Sequence, residues 1–165
     1  MPSNNLILTA DSAHKKLHRM AYEIVESNAG ETEIILAGIK DSGLIIAGII
    51  KNFLRDIFRG TISIIEISID KKDPQNISVS GKNNFDAAVI IITDDVANTG
   101  KTLLYAVRPF LAFYPKKIQT LVLVERSHKQ FPVAPDYVGL SVSTAANEKI
   151  IVEAQGNEIT AARLQ

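Results

Sequence analysis

The chain contains no cysteine, which excludes disulfides, thiolate metal sites and a thiol nucleophile together and fits a reducing compartment such as the cytoplasm. It has no surplus charge of either sign: Lys plus Arg and Asp plus Glu each number 18. A general attraction to nucleic acid or to an anionic membrane is therefore missing, and either would need a local patch. Long apolar runs are missing too. Even Leu44 to Ile50 is closed by Lys51 and Asn52, well short of the roughly 18 residues of a membrane span. Met1 to Thr9 lack the basic start and apolar core of a secretory leader. The expectation is a soluble, cytoplasmic protein with no membrane partner.

What is present has the balance of an ordinary globular protein. The apolar share is 46% and the charged share 22%, which sets disordered and fibrous classes aside. One domain is expected over residues 1–165, with a polar tail from about residue 154.

Asp11 is placed to cap a helix whose apolar stripe is Leu17, Met20, Ala21, Ile24 and Val25, with Gly30 at its stop. Glu33 to Ile39 reads as a buried strand, and Gly38 to Gly43 as a glycine-bracketed turn. Leu44 to Phe58 recurs at helical spacing through Ile46, Ile49, Ile50, Phe53, Leu54 and Ile57. Thr61 to Ile69, rich in β-branched residues, reads as strand, and Asp70 to Asn84 as a polar loop or ragged hairpin. Ala87 to Ile92 is an apolar run of strand length, broken at Asn98 to Gly100, with helical character from Lys101 to Phe113. Ile118 to Val124, Tyr137 to Val142 and Lys149 to Glu153 are further strand candidates. This alternation predicts an α/β fold, a mostly parallel twisted sheet with helices on both faces. In such sheets ligands gather outside the carboxyl ends of the strands.

One segment carries chemistry. From Val89 to Thr102 a buried strand delivers two carboxylates, Asp94 and Asp95, and then a turn of small residues opens a helix. Backbone N–H groups of the turn, the Thr99 and Thr102 hydroxyls and the helix end make a cradle suited to a phosphate. The two carboxylates are acceptors suited to vicinal hydroxyls such as those of a ribose. A solvated helix-capping role for the acid pair remains the plain alternative. A nucleoside-triphosphate loop is a poorer fit, because Gly100-Lys101-Thr102 ends that motif correctly but Asp95 stands where its first glycine belongs.

A strand, two acids and a T-G-x-T turn resemble the phosphoribosyl pyrophosphate motif of type I phosphoribosyltransferases. Glu125 to Val133, Asp136 to Gly139 and Gly38-Ile39-Lys40 extend the likeness to the family of bifunctional pyrimidine operon regulators and uracil phosphoribosyltransferases, over most of residues 6–153. The resemblance implies transfer of a phosphoribosyl group to a nucleobase such as uracil, with Mg²⁺ carried on the pyrophosphate. It implies that Asp94 and Asp95 hold the ribose, and that Ala97, Asn98, Thr99, Gly100, Lys101 and Thr102 bind the 5-phosphate. Lys40, Asp41, Ser42 and Gly43 would face pyrophosphate, although the family usually has an arginine where Ser42 stands. Arg126, Tyr137 and Val138, with Glu125, become candidates for base contact. The same resemblance suggests a homodimer.

The alternative is a nucleotide-sensing regulator that binds RNA, for which Lys15, Lys16, His18, Arg19, Lys116, Lys117 and Lys129 are the available basic residues. An ordinary solvated helix face explains the first four as well, given electroneutrality. His128 reads as a loop residue near the site. His14 and His18, one helical turn apart, are expected to be exposed, and without a third ligand they make no metal site.

Overall fold

The computed structural model describes residues 5–165. Its centre is a six-stranded sheet in the order β4-β3-β2-β5-β6-β7. Strands β2 (Glu33–Ile39), β3 (Thr61–Ile69), β5 (Val89–Ala97), β6 (Lys117–Arg126) and β7 (Tyr137–Val142) run parallel, and β4 (Ile77–Ser80) pairs antiparallel with β3. The expected ragged hairpin is therefore formed. β2 and β5, the central pair, are almost wholly buried, as continuous apolar runs covered on both faces must be.

Helices cover both faces, as the alternation predicts. On one face α1 (Ala10–Ser27) and α2 (Ser42–Ile57) pack together over a core that includes Leu17, Met20, Ile24, Ile46, Ile50, Leu54 and Ile91. On the other, α3 (Lys101–Val107) and a 3₁₀ turn (Arg108–Ala112), whose Phe110 is buried, cover Ile35, Ile90 and Ile92. α1 starts two residues earlier than Asp11 would place it. Thr9 is its cap: the Ser12 amide donates to Thr9 Oγ1 at 3.1 Å and the Thr9 amide donates to Ser12 Oγ at 2.9 Å, while Asp11 lies in the first turn. α3 is shorter than expected because Pro109 has no N–H and its ring crowds the carbonyl four residues back, so the helix tightens before Phe113.

The polar tail is not a tail. Glu158–Leu164 forms β9, which pairs antiparallel with both β1 (Leu6–Thr9) and β8 (Ile150–Gln155) in a separate three-stranded sheet. Ile159, Ala161 and Ala162 are buried there, and Leu8, Ile150 and Val152 join them in the core on the α1–α2 side. Short alanine side chains carry little hydrophobic signal, so the strand shows only once its two distant partners are in place. Among the described residues no helix is long and apolar enough to cross a membrane.

The order of strands has a direct consequence. From β2 the chain builds outward to β3 and β4, then crosses back and builds from β5 to β6 and β7 in the other direction. The reversal falls between β2 and β5, so the turns that leave those two strands flank a crevice at the carboxyl edge of the sheet.

Candidate active site

Strand β5 runs through both acids and ends only at Ala97, longer than the apolar run alone indicates. Asp94 pairs in register with Val122, and Ala97 with Glu125. Asp94 is 8% exposed. Its Oδ1 accepts from the Asp95 amide at 2.8 Å, and Asp95 Oδ1 accepts from the Val96 amide at 2.7 Å. Burial, and then the negative charge of Asp95 beside it, hold the Asp94 carboxyl well above its ordinary value of 3.8. The positive charge of Lys71 acts in the opposite direction.

Beyond Ala97 the turn is pinned from outside. The Thr99 carbonyl accepts from the amides of Gln130 at 2.9 Å and Phe131 at 3.0 Å. Thr99 Oγ1 accepts from the Lys101 amide at 3.2 Å. Gly100, with φ of 87°, takes a left-handed conformation that L side chains rarely adopt. The first amides of α3 have no intrahelical carbonyl to bond. With only seven residues in α3, these N–H groups matter more for an anion than a long helix dipole.

Asp94, Asp95, Ala97, Asn98, Thr99, Gly100, Lys101 and Thr102 all line one cavity of about 220 Å³. The fold thus brings together the whole set expected to hold a sugar phosphate. Residues that sequence reasoning missed complete the wall: Lys71 from the loop between β3 and β4, and Ile150, Ile151 and Val152 from β8. No local pattern marks them, because they reach the cavity from distant parts of the chain.

The turn after β2 stands beside this cavity. Lys40 and Asp41 line a neighbouring cleft of about 450 Å³ with Ser68, Ile69, Asp70, Asn76 and Ser78. The Lys40–Asp41 peptide is cis. The Lys40 amide donates to the Ile67 carbonyl at 2.9 Å, tying the turn to β3. Thr93 Oγ1 donates to the Gly43 carbonyl at 2.7 Å, tying it to β5 directly before the acids. Ser42 begins α2.

The candidates for base contact do not line this cavity. Tyr137 begins β7 level with Leu121 of β6, which is in turn level with Thr93 of β5, and is 2% exposed. Its hydroxyl donates to Gln119 Oε1 at 2.7 Å and accepts from Asn28 Nδ2 at 3.3 Å, and burial raises its pKa. Val138 packs against the core under α3, and its carbonyl accepts from Arg19 at 3.2 Å. The Tyr137 hydroxyl thus ties β7 to α1 and β6, whereas Val138 pairs with Val122, the residue that pairs with Asp94, and stands level with the acids. Arg126 does lie at the carboxyl end of β6, where it donates to the Ala145 carbonyl at 3.0 Å. Glu125 is paired with Lys129 at 2.8 Å. His14, His18 and His128 are exposed; His18 stacks on Phe53 with ring centroids 4.4 Å apart.

Tyr137→Phe tests this placement. Losing the buried hydroxyl removes its bonds to Gln119 and Asn28, which still bond each other, at a cost of about 0.5–1.5 kcal/mol. Thermal melting should drop while KM and kcat stay unchanged; a selective loss of base affinity would restore Tyr137 to the site.

A carboxylate pair facing a phosphate-sized turn at the switch point of a doubly wound sheet defines a sugar-phosphate site of the phosphoribosyltransferase class. The family model described as "Phosphoribosyl transferase domain" matches residues 4–156, and the chain belongs to that family. Among curated proteins it is 34% identical over 145 residues to "Bifunctional protein PyrR" of Streptococcus pneumoniae (strain CGSP14), covering 84% of this chain and 83% of that one. The same figures hold for PyrR of strain ATCC BAA-334 / TIGR4. Among solved structures, the hypoxanthine phosphoribosyltransferase of Trypanosoma cruzi matches with a TM-score of 0.79 at 15% identity, over 98% of this chain and 97% of that one. A hypoxanthine-guanine phosphoribosyltransferase from Bacillus anthracis matches at 0.70 and 17%, over 86% and 84%. These two likenesses establish the type I fold.

Proposed function

We propose that the protein transfers the phosphoribosyl group of phosphoribosyl pyrophosphate to a ring nitrogen of a nucleobase, a pyrimidine such as uracil first among them, and that it acts in the cytoplasm as a homodimer. The observation that carries this is the shared cavity: Asp94 and Asp95 on one wall, the turn from Ala97 to Thr102 on another. The turn's N–H groups and the Thr99 and Thr102 hydroxyls hold the 5-phosphate. The acid pair accepts the ribose hydroxyls, and its charge favours the positive charge that develops on the sugar. As the C1–O bond breaks, pyrophosphate leaves with the electron pair, and the ring nitrogen forms the new C1–N bond with its own pair while its N–H proton passes to solvent. Ile150, Ile151 and Val152 offer an apolar wall for the flat face of a base. The PyrR relatives favour a pyrimidine.

Mg²⁺ fits this arrangement as an ion that arrives with the substrate. Two adjacent carboxylates are enough beside phosphate oxygens and water, and among the described residues no group of three or more His, Cys, Asp or Glu forms a metal cage. When bound, Mg²⁺ neutralises charge on the departing pyrophosphate.

The test is pyrophosphate release. With phosphoribosyl pyrophosphate, Mg²⁺ and a panel of bases, release is expected with uracil; its absence with every base would sink the transferase reading. The alternative, an RNA-binding regulator, has less support on charge. Lys15 pairs with Asp11, Arg19 with Glu23, Lys116 with Glu31 and Lys129 with Glu125, and Lys117 donates to the Ser27 carbonyl and Asn28 Oδ1. Nucleotide-dependent RNA binding that weakens steeply with salt would favour that alternative instead.

A further inference from the structure

Val89 to Ile92 fill the first half of β5 with buried apolar side chains, and the next position holds a hydroxyl. Thr93 is 0% exposed. A hydroxyl taken out of water costs free energy unless it is bonded, and a valine would fill the same space without that need. The Thr93 side chain falls on the same face of β5 as Ile91, the face covered by α1 and α2. There its hydroxyl donates to the Gly43 carbonyl at 2.7 Å, in the first turn of α2.

Three stretches of backbone meet at this bond. Thr93 pairs with Gly38 near the end of β2. A Cβ at Gly38 would lie 2.7 Å from Leu44 Cα and 3.0 Å from the Gly43 carbonyl oxygen, so the chain that leaves β2 folds back tightly over its own start. Gly43 in turn sits against the Thr93 carbonyl and Asp94 Cα. Such contacts set how near the turn can come to β5, but each atom pair contributes little attraction. The hydroxyl bond resists separation, one residue before Asp94 and two before Asp95. Lys40 to Ser42 are held between it and the bond from the Lys40 amide to the Ile67 carbonyl.

We propose that Thr93 is a positioning residue for the donor substrate: by tethering the first turn of α2 to β5, it fixes the distance between the turn from Lys40 to Gly43 and the acid pair. This rests on the reading of the site as one for phosphoribosyl pyrophosphate, with the ribose at the acids and the diphosphate toward the turn after β2. A ligand that spans both needs their separation set before it arrives; otherwise part of its binding free energy goes into setting it. A ligand confined to one of them has no such need. Thr93 itself lines neither cavity and acts through the backbone it holds.

Calorimetry with Mg²⁺ present tests the proposal with three ligands: phosphoribosyl pyrophosphate, ribose 5-phosphate and inorganic pyrophosphate. Thr93→Val should bind phosphoribosyl pyrophosphate about three- to ten-fold more weakly than the wild type, the weight of one buried hydrogen bond. It should bind the other two as the wild type does. Thr93→Ser, which keeps the hydroxyl, should recover the donor affinity. Thr93→Ala, which lacks it, should not, so the outcome does not depend on how valine packs. Thr120→Val is the control: it removes another buried threonine hydroxyl, bonded to Asp136 and lining neither cavity. It should melt lower with all three affinities unchanged. Wild-type donor affinity in Thr93→Val and Thr93→Ala would overturn the proposal, and so would an equal loss for all three ligands or a loss that persists in Thr93→Ser. Failure of the wild-type protein to bind any of the three is a different result, since it removes the phosphoribosyl pyrophosphate reading and the proposal with it.

Discussion

Asp94→Asn is expected to lower turnover by about 10²–10³-fold and to raise thermal stability at neutral pH. Both effects come from one placement. Asp94 is buried beside a second carboxylate, and its pKa is raised by that burial first and by the Asp95 charge second. The sign follows from the raised value. Below the ordinary carboxylate value of 3.8, Asp94 is protonated in both the folded and the unfolded chain, and its ionisation does not oppose folding. As pH rises above that value the unfolded chain ionises first, so a penalty on the folded state grows and is complete once pH passes the raised folded-state value. Asparagine keeps the shape and an oxygen to accept from the Asp95 amide, without the charge.

At neutral pH the variant should melt about 2–4 °C higher, corresponding to roughly 1 kcal/mol in a domain of this size. The difference from wild type should close as pH falls toward the ordinary carboxylate value. A melting temperature equal to or below wild type at neutral pH would show that the ionised pair is stabilised by something the burial argument omits. Activity should follow the same titration. If the ionised pair must receive the ribose hydroxyls and face a cationic sugar, kcat/KM for the donor rises with pH through the raised value. Asn at 94 would remove that limb along with most of the rate.

The second large effect is expected at Gly43. A Cβ there would lie 2.4 Å from the Thr93 carbonyl oxygen and 3.3 Å from Asp94 Cα. Both are backbone atoms of the central strand and cannot swing aside. Gly43→Ala must therefore push the turn after β2 away from β5, stretching the hydrogen bond from Thr93 Oγ1 and shifting the acids. Overpacking of this kind costs about 1–3 kcal/mol, and a displacement of about 1 Å at reacting groups can cost on the order of 10²-fold in rate. Gly48→Ala, one and a half turns along the same helix, is the control. A Cβ at Gly48 meets nothing within 4 Å, so alanine there should stabilise by about 0.5–1 kcal/mol through helix propensity and a less flexible unfolded chain. Opposite signs from one substitution on one helix would locate the effect in the contact between Gly43 and β5; a neutral Gly43→Ala would refute it.

Local chemistry was the legible part of the fold. The limits of β2, β3 and β7 follow from where apolar and β-branched runs begin and end, and the buried stripe of α1 from its spacing. Elements that depend on partners far along the chain were not legible. β1 and β9 are short strands with weak patterns of their own, and they exist because each pairs with the other. The acids of β5 looked like the end of a strand because carboxylates interrupt an apolar run. Pairing with β6 carries the strand through them.

The candidate site divides in the same way. The acid pair and the phosphate turn lie within nine consecutive residues, Asp94 to Thr102, so the sequence by itself determined their identity, order and kind of ligand. For Tyr137 and Val138, neither of which lines the cavity, a sequence does not say how high in the sheet a strand begins; the register of β7 on β6 sets Val138 level with Asp94. Lys71 and the β8 wall were invisible because they come from residues well before and well after the motif. Only the tertiary structure, which lays β3 on the far side of β2 and folds β8 over β5, brings a lysine and an apolar strand to the same cavity. A contiguous motif can be read along the chain, but a charge balance inside a cavity depends on distance in space.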